Sequence, residues 1–490
     1  MEPRLEAIRW SENAHFVANP HQSGQTAVID SLYLKPVYLD WPFSELEARH
    51  RAGAPAGDSL VELEAKFGSV VDMSPLVEAL RDARILVDDV IDTIAKVEEL
   101  AAAVEADRHL TELYLVLTGG CNFSCPHCLS GSNSSELPFF KSTMDFETAS
   151  LAVSVFANAL SVSEDNRVVF YGGEPLLRWP LMQDVMSVVR RQPMFGRGPG
   201  KVHCKVITNG SLLNERVARE LADNMVDVVL SFDGPTWLTK QSRPAGPNAN
   251  YPTPESLIPL LTRVGVRVSL SVTLTENTLA NLDELLSWVA DDVSVPVVLC
   301  IVKQTKDHIY TDAFAEQSSD AVLEAYRRIL EAGGNEERLD AILESIRLHV
   351  PYVQDCYAQG ANQIVVEPNG RVGVCQGFLS DNAFFFSNIR ETATPADLFN
   401  SSAMRSWQRR LTISDEGCRQ CASLGVCGGG CPTSASRVGG TIYSIDKGHC
   451  AQSKKLLPWL LWDVIRDRHY RAKCMLPDYA HFGLPEDTIS

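Results

Sequence analysis

Six short β-branched runs alternate with amphipathic helical stretches between about residues 112 and 302: Leu113 to Thr118, Arg167 to Tyr171, Val202 to Thr208, Val226 to Phe232, Val266 to Thr273 and Val295 to Val302. Helix candidates lie between them at Phe146 to Leu160, Trp179 to Arg191, Leu213 to Asn224 and Leu279 to Ala290, each with apolar residues at helical spacing. Repeated βα units predict a parallel sheet, and six of them predict an α/β partial barrel. In such barrels chemistry gathers on loops at the C-terminal ends of the strands. The chain's distinctive segments fall there. Cys121 follows the first run, Gly172-Gly173-Glu174-Pro175 the second, Asn209-Gly210 the third and Asp233-Gly234-Pro235 the fourth, while Thr273 closes the fifth.

Composition narrows the function classes. The 490 residues, 45% of them hydrophobic, suffice for several domains with their own cores. Forty-four basic residues against 62 acidic give a net charge of −18, which opposes binding to nucleic acid or an anionic membrane surface. The start lacks a basic segment followed by an apolar run, and no apolar stretch is long enough to span a bilayer. A cytoplasmic location is expected. Thiols stay reduced there, so 13 clustered cysteines predict metal or catalysis rather than disulfides.

Cys121, Cys125 and Cys128 form a CxxxCxxC loop directly after a predicted strand. Three thiolates this close can hold three irons of a [4Fe–4S] cube and leave the fourth iron open to a ligand. A structural zinc loop is the alternative, although zinc prefers four ligands in paired CxxC spacing. Downstream stand Cys356, Cys375 preceded by Gly370, then Cys418, Cys421, Cys427 and Cys431 in a Cx2Cx5Cx3C run around Gly428-Gly429-Gly430, and finally Cys450. A double zinc ribbon is the competing reading of that set. Cys204 and Cys300 fall inside predicted strands, where a small buried hydrophobe is expected.

The CxxxCxxC loop and the GGEP turn resemble the radical S-adenosylmethionine (SAM) superfamily, and the later cysteine order resembles its SPASM extension, over roughly residues 111 to 455. The resemblance implies that SAM chelates the open iron held by Cys121, Cys125 and Cys128. It implies contacts to SAM from Gly172, Gly173, Glu174, Asn209, Ser231, Asp233 and Thr273. His127 stands where the family usually has an aromatic residue near the adenine. The same resemblance implies three [4Fe–4S] clusters in all, one auxiliary cluster on Cys418, Cys421, Cys427 and Cys450, and another on Cys356, Cys375 and Cys431. Cys474 is a weak candidate for the missing fourth ligand. The domain order expected is a winged-helix-like leader-recognition unit over 1–110, with an extended stretch at Ala27 to Leu39 ahead of two short helical patterns, the partial (β/α)6 barrel over 111–305, a helical bridge over 306–349, the SPASM domain over 350–455, where glycine and cysteine density predicts metal rather than a large apolar core, and a terminal helix and tail over 456–490.

The family implies a precursor peptide with a leader as partner, together with an electron donor such as flavodoxin or ferredoxin. The expected reaction is a side-chain crosslink at an unactivated carbon of a ribosomally made peptide. Oxidation, epimerisation, excision and formylglycine formation compete with it, as does small-molecule dehydrogenation. In anaerobic sulfatase maturases an aspartate base follows the Gly-x4-Cys cysteine, whereas Gln376 holds that place here, and an amide is a poor base. Asp355, Tyr357 and Gln376 are the candidate proton carriers.

Overall fold

A computed structural model describes residues 8–69, 72–88, 93–129, 141–246, 253–304, 311–379, 384–392 and 394–483. The chain opens with β1 (Arg9–Trp10), β2 (Ala14–Ala18), β3 (Gln25–Asp30) and β4 (Val37–Asp40). Helices Glu45–Arg51, Ala56–Phe67 and Ser74–Asp82 follow, and β5 (Leu86–Val87) returns to pair with β1. The extended stretch expected over Ala27 to Leu39 is therefore two antiparallel strands, and a further one precedes them. This unit has its own core, in which Val28, Val37 and Leu39 on alternate sheet positions meet Phe43, Leu46, Leu60 and Leu80 from the helices.

Six parallel strands come next: β6 (Glu112–Thr118), β7 (Asn166–Gly172), β8 (Val202–Thr208), β9 (Asp227–Ser231), β10 (Val268–Leu274) and β11 (Val297–Ile301). They pair in chain order, as the βα alternation predicts. β6 is buried along its whole length, whereas β10 alternates buried Val268, Leu270, Val272 and Leu274 with half-buried Ser269, Ser271 and Thr273. The helix expected over Leu279 to Ala290 is broken into Glu276–Leu279, Leu282–Ser287 and a wide π turn at Trp288–Asp292. Helices Asp312–Ala332 and Glu337–Leu348 occupy the predicted bridge.

The cysteine-rich part departs from expectation. Its strands β12 (Gln363–Val366), β13 (Arg371–Gly373) and β14 (Phe385–Asn388) extend the barrel sheet, with β12 parallel to β6. Sequence reading expected metal in place of a large apolar core there. Instead Val366, Val374, Phe378, Leu398 and Trp407 are buried in a core continuous with that of the barrel. Short runs of only three or four residues hid those strands from periodicity. Helix Lys447–Trp459 passes through a π turn at Leu460–Ile465, Arg468–Lys473 follows, and β15 (His481–Phe482) adds in parallel to β4. Among the described residues, no helix is long and apolar enough to cross a membrane.

Candidate functional site

The cysteine loop leaves the end of β6 through Gly119 and Gly120, and β7 ends beside it. The Gly173 amide donates to the Thr118 carbonyl at 2.8 Å and the Glu174 amide to that of Gly120 at 3.0 Å. A Cβ at Gly172, whose φ is +137°, would lie 2.2 Å from the Thr118 oxygen, and one at Gly173 would lie 2.1 Å from the Gly120 oxygen. The close approach these glycines allow is thus first to the cysteine loop's own backbone.

Glu174, 1% exposed, ties the same turn to the next strand. Its carboxylate accepts from the Leu176 amide at 3.0 Å, the Thr208 hydroxyl at 2.8 Å and the Asn209 amide at 2.9 Å. Burial outweighs these donors and pushes its carboxyl up to about 7. Asn209 then reaches back to the loop, donating to Asn122 Oδ1 at 2.9 Å with Cys121 Sγ 3.9 Å away.

Asp233 and Thr273 meet around a residue that no motif singled out. Arg243 donates to fully buried Asp233 through Nε at 2.9 Å and Nη2 at 2.8 Å, and to the Thr273 hydroxyl at 3.2 Å. The Thr273 amide also donates to Asp233, at 3.0 Å, and His127 Nε2 lies 3.5 Å from the same carboxylate. Ser231 ends β9 opposite Ser271 of β10. The segment after Arg243 clasps the loop: Ser124 N donates to Pro244 O at 2.8 Å and Gly246 N to Asn122 O at 2.9 Å. Arg243 follows a seven-residue helix outside any recognised spacing; its signal, a cation beside a proline on a strand-end loop, is weak.

The three loop thiols are electrostatic neighbours. Burial pushes Cys121 up to about 11 and Cys125 up to about 12, the latter opposed by Arg243. Binding a metal as thiolates therefore releases protons.

The later cysteines separate into two groups. Cys375 is buried, and Cys356 and Cys431 couple to it. Cys418, Cys421, Cys427 and Cys450 couple to one another. Cys427 and Cys431 belong to different groups although only three residues separate them. Gly428, Gly429 and Gly430, at φ of +63°, +82° and +65°, make that left-handed turn, and a Cβ at Gly428 would meet the Tyr352 ring at 2.7 Å. Gln359 Nε2 donates to the Gly428 carbonyl at 2.8 Å and Arg410 Nη2 to that of Gly429 at 2.9 Å. Against the upward push of burial, His449 and Ser453 hold the Cys427 thiol below its ordinary range.

Among the described residues, no three His, Cys, Asp or Glu side chains close on one point as ligands of a single ion would. All-thiol groups that couple without closing on a point fit iron–sulfur clusters, whose thiolates bind separate irons. Cys474 is half-buried just after helix Arg468–Lys473, with Asp340 and Lys473 as its charged neighbours. Cys204 is buried in β8, and Cys300 is half-buried in β11.

The candidate proton carriers are engaged by the protein. Asp355 pairs with Arg338 at 2.8 Å, and the guanidinium holds its carboxyl below the usual range despite burial. The Tyr357 hydroxyl accepts from Arg167 at 3.0 Å, at the N-terminal end of β7 and opposite the Cys121 loop. Gln376 Oε1 accepts from Gln363 at 2.9 Å.

Comparison with known proteins agrees with this architecture. Residues 115–289 match the model of the Radical SAM superfamily, and residues 356–422 match SPASM, an iron–sulfur cluster-binding domain. The radical SAM cyclopropyl synthase TigE of Paramaledivibacter caminithermalis is 22% identical over 379 residues, 73% of this chain and 75% of that protein. The structure of anSMEcpe with bound AdoMet and Cp18Cys peptide superposes with a TM-score of 0.58 at 20% identity, covering 72% of this chain and 97% of that one. Streptococcus suis SuiB bound to precursor peptide SuiA gives 0.50 at 14% identity, covering 90% and 99%. These domains imply SAM and iron–sulfur clusters as cofactors. The chain thus carries a radical SAM domain over residues 115–289 and, after it, a SPASM domain over residues 356–422.

Proposed function

We propose that the chain is a peptide maturase that initiates radical chemistry on SAM and crosslinks a side chain of a ribosomally made peptide at an unactivated carbon. Cys121, Cys125 and Cys128 would hold the SAM-binding [4Fe–4S] cluster. Cys356, Cys375 and Cys431 would hold one auxiliary cluster, and Cys418, Cys421, Cys427 and Cys450 the other. Bound and reduced, the SAM-binding cluster would supply the electron that cleaves the SAM sulfonium bond to methionine and a 5′-deoxyadenosyl radical, which would take one hydrogen atom from the substrate; closing the crosslink would release a proton and one further electron, which an auxiliary cluster would accept.

The chain's own residues hold the loop that this chemistry needs. Gly172 and Gly173 seat the loop against β7, and Glu174 locks that turn to Thr208 and Asn209. Asn209 steadies Asn122 beside the first thiol. Arg243 brings a fixed positive charge beside Cys125 while orienting Asp233 and Thr273. Ser231 and His127 complete the candidate SAM-contacting set. The carrying observation is this convergence of four strand ends on one cysteine loop.

A peptide substrate is supported by the peptides bound to anSMEcpe and SuiB in those structures. The antiparallel strands and the three helices between Glu45 and Asp82 are read as the winged-helix-like unit that would receive a leader. Gln376 in place of a carboxylate favours crosslinking over sulfatase-type oxidation. A flavodoxin- or ferredoxin-type donor would supply the electron.

The test is iron and sulfide content, paramagnetic resonance and deoxyadenosine formation on anaerobically reconstituted protein, against a variant with Cys121, Cys125 and Cys128 all changed to Ala. About twelve irons falling to about eight, with loss of SAM cleavage, is expected. Zinc without iron, or undiminished cleavage, would overturn the reading.

A further inference from the structure

The sheet before the barrel runs β15-β4-β3-β2, so one of its outer strands comes from a segment more than 440 residues away in sequence. Without β15, β4 would present an open row of backbone groups, able to pair with another extended chain. Residues Ala480–Phe482 fill that row. Tyr38 N donates to Ala480 O at 2.9 Å, and His481 and Phe482 stand opposite Tyr38 and Leu39 in parallel register. The side chains divide by the strand's alternation. The His481 ring nitrogen lies 2.8 Å from Asp40 Oδ2 and 3.0 Å from Arg466, while Phe482 packs on the core of the first unit. A Cβ at Gly483 would lie 3.2 Å from Asp40, which leaves little room beyond the pair.

The hold is shallow. Two residues pair, His481 is exposed and Phe482 only half-buried, and an isolated contact of that size opens locally at small cost. The edge is nonetheless selective, because it offers a backbone ladder, a carboxylate at Asp40 and an apolar seat one position further along.

We propose that the outer edge of β4 is a docking strand for an extended peptide running parallel to it, and that Ala480–Phe482 occupy this edge in cis and must leave before a peptide can pair there. Such a peptide would carry a polar or cationic residue beside Asp40 followed by a large apolar one. This rests on the peptide-substrate reading above and adds an intramolecular competitor to it. A site filled in cis binds in trans with an apparent affinity reduced by the fraction of chains in which it is open.

The probe is a fluorescein-labelled synthetic peptide of the sequence Leu476–Gly483, followed by anisotropy. Against the full chain it should bind at least tenfold more weakly than against the Phe482→Asp variant, whose own segment has lost its apolar anchor. The same substitution in the peptide should weaken binding tenfold or more. A chain ended after Asp478 provides a second open-edge protein should Phe482→Asp fold poorly. Hydrogen exchange at the Tyr38 amide reports release directly. Faster Tyr38 exchange with equal or absent peptide binding would overturn the docking strand, and unchanged exchange in both altered chains would overturn the cis occupant. Deoxyadenosine formation from SAM without peptide should match wild type in these chains, and its absence from the wild-type protein itself would instead count against the radical reading.

Discussion

Gly173 and Asp355 show how individual positions hold the candidate sites together. Gly173 has an ordinary φ, so its need for glycine comes from space alone: the Gly120 carbonyl occupies the place of a Cβ. Gly173→Ala must push the cysteine loop away from β7. We expect the variant to fold yet reconstitute with about four irons fewer and to lose SAM cleavage more than tenfold. Iron analysis and deoxyadenosine chromatography check both, and a full iron complement would contradict the packing argument. Asp355 is the buried partner of Arg338. Asp355→Asn leaves the guanidinium without its counter-charge and should cost about 3 to 5 kcal/mol. Asp355→Leu combined with Arg338→Met should cost clearly less, because no charge is then stranded. Denaturation midpoints of single and double variants decide this. The cysteines themselves were legible because thiol spacing is a local property of the chain. Arg243 was not, since its partners Asp233 and Thr273 lie 10 and 30 residues away on separate strand ends.

Among the elements, the six parallel strands were visible because each is five to seven residues long and rich in buried apolar side chains, continuous in β6 and alternating in β10. Strands β12 to β14 were hidden, being too short for periodicity to separate from loop. The first sheet falls between these extremes, with β3 and β4 run together and β2 missed. It also carries a pH dependence. His15 on β2 is held at about 4, mainly by burial and further by His50, against an ordinary 6.5. A histidine kept neutral in the folded state contributes stability that is present above 6.5 and is lost as pH falls toward 4. The loss amounts to roughly 3 kcal/mol at most. Thermal unfolding followed between pH 7 and 4 should show it, and His15→Gln should flatten the slope. A slope unchanged in that variant would move the origin of acid lability elsewhere.

At the scale of the whole molecule, β12 joins the cysteine-rich part to the barrel as one sheet, and the buried core runs through both. A fragment covering residues 110–350 would leave the long apolar edge of β6 unpaired. It should aggregate, since such edges pair with one another. Size-exclusion chromatography beside the full chain tests this, and a monomeric fragment would mean that β12 is dispensable to the barrel. The sequence by itself determined the α/β class with its central parallel sheet, the three-thiol loop and the grouping candidates among the later cysteines, because hydrophobic period and ligand spacing are written into neighbouring residues. Only the tertiary structure decided that Arg243 gathers two strand ends, that a turn of three glycines turns Cys427 and Cys431 to different groups, and that Ala480–Phe482 close the edge of β4. Each of these joins segments remote in sequence, and such joining depends on packing and backbone pairing that no local pattern encodes.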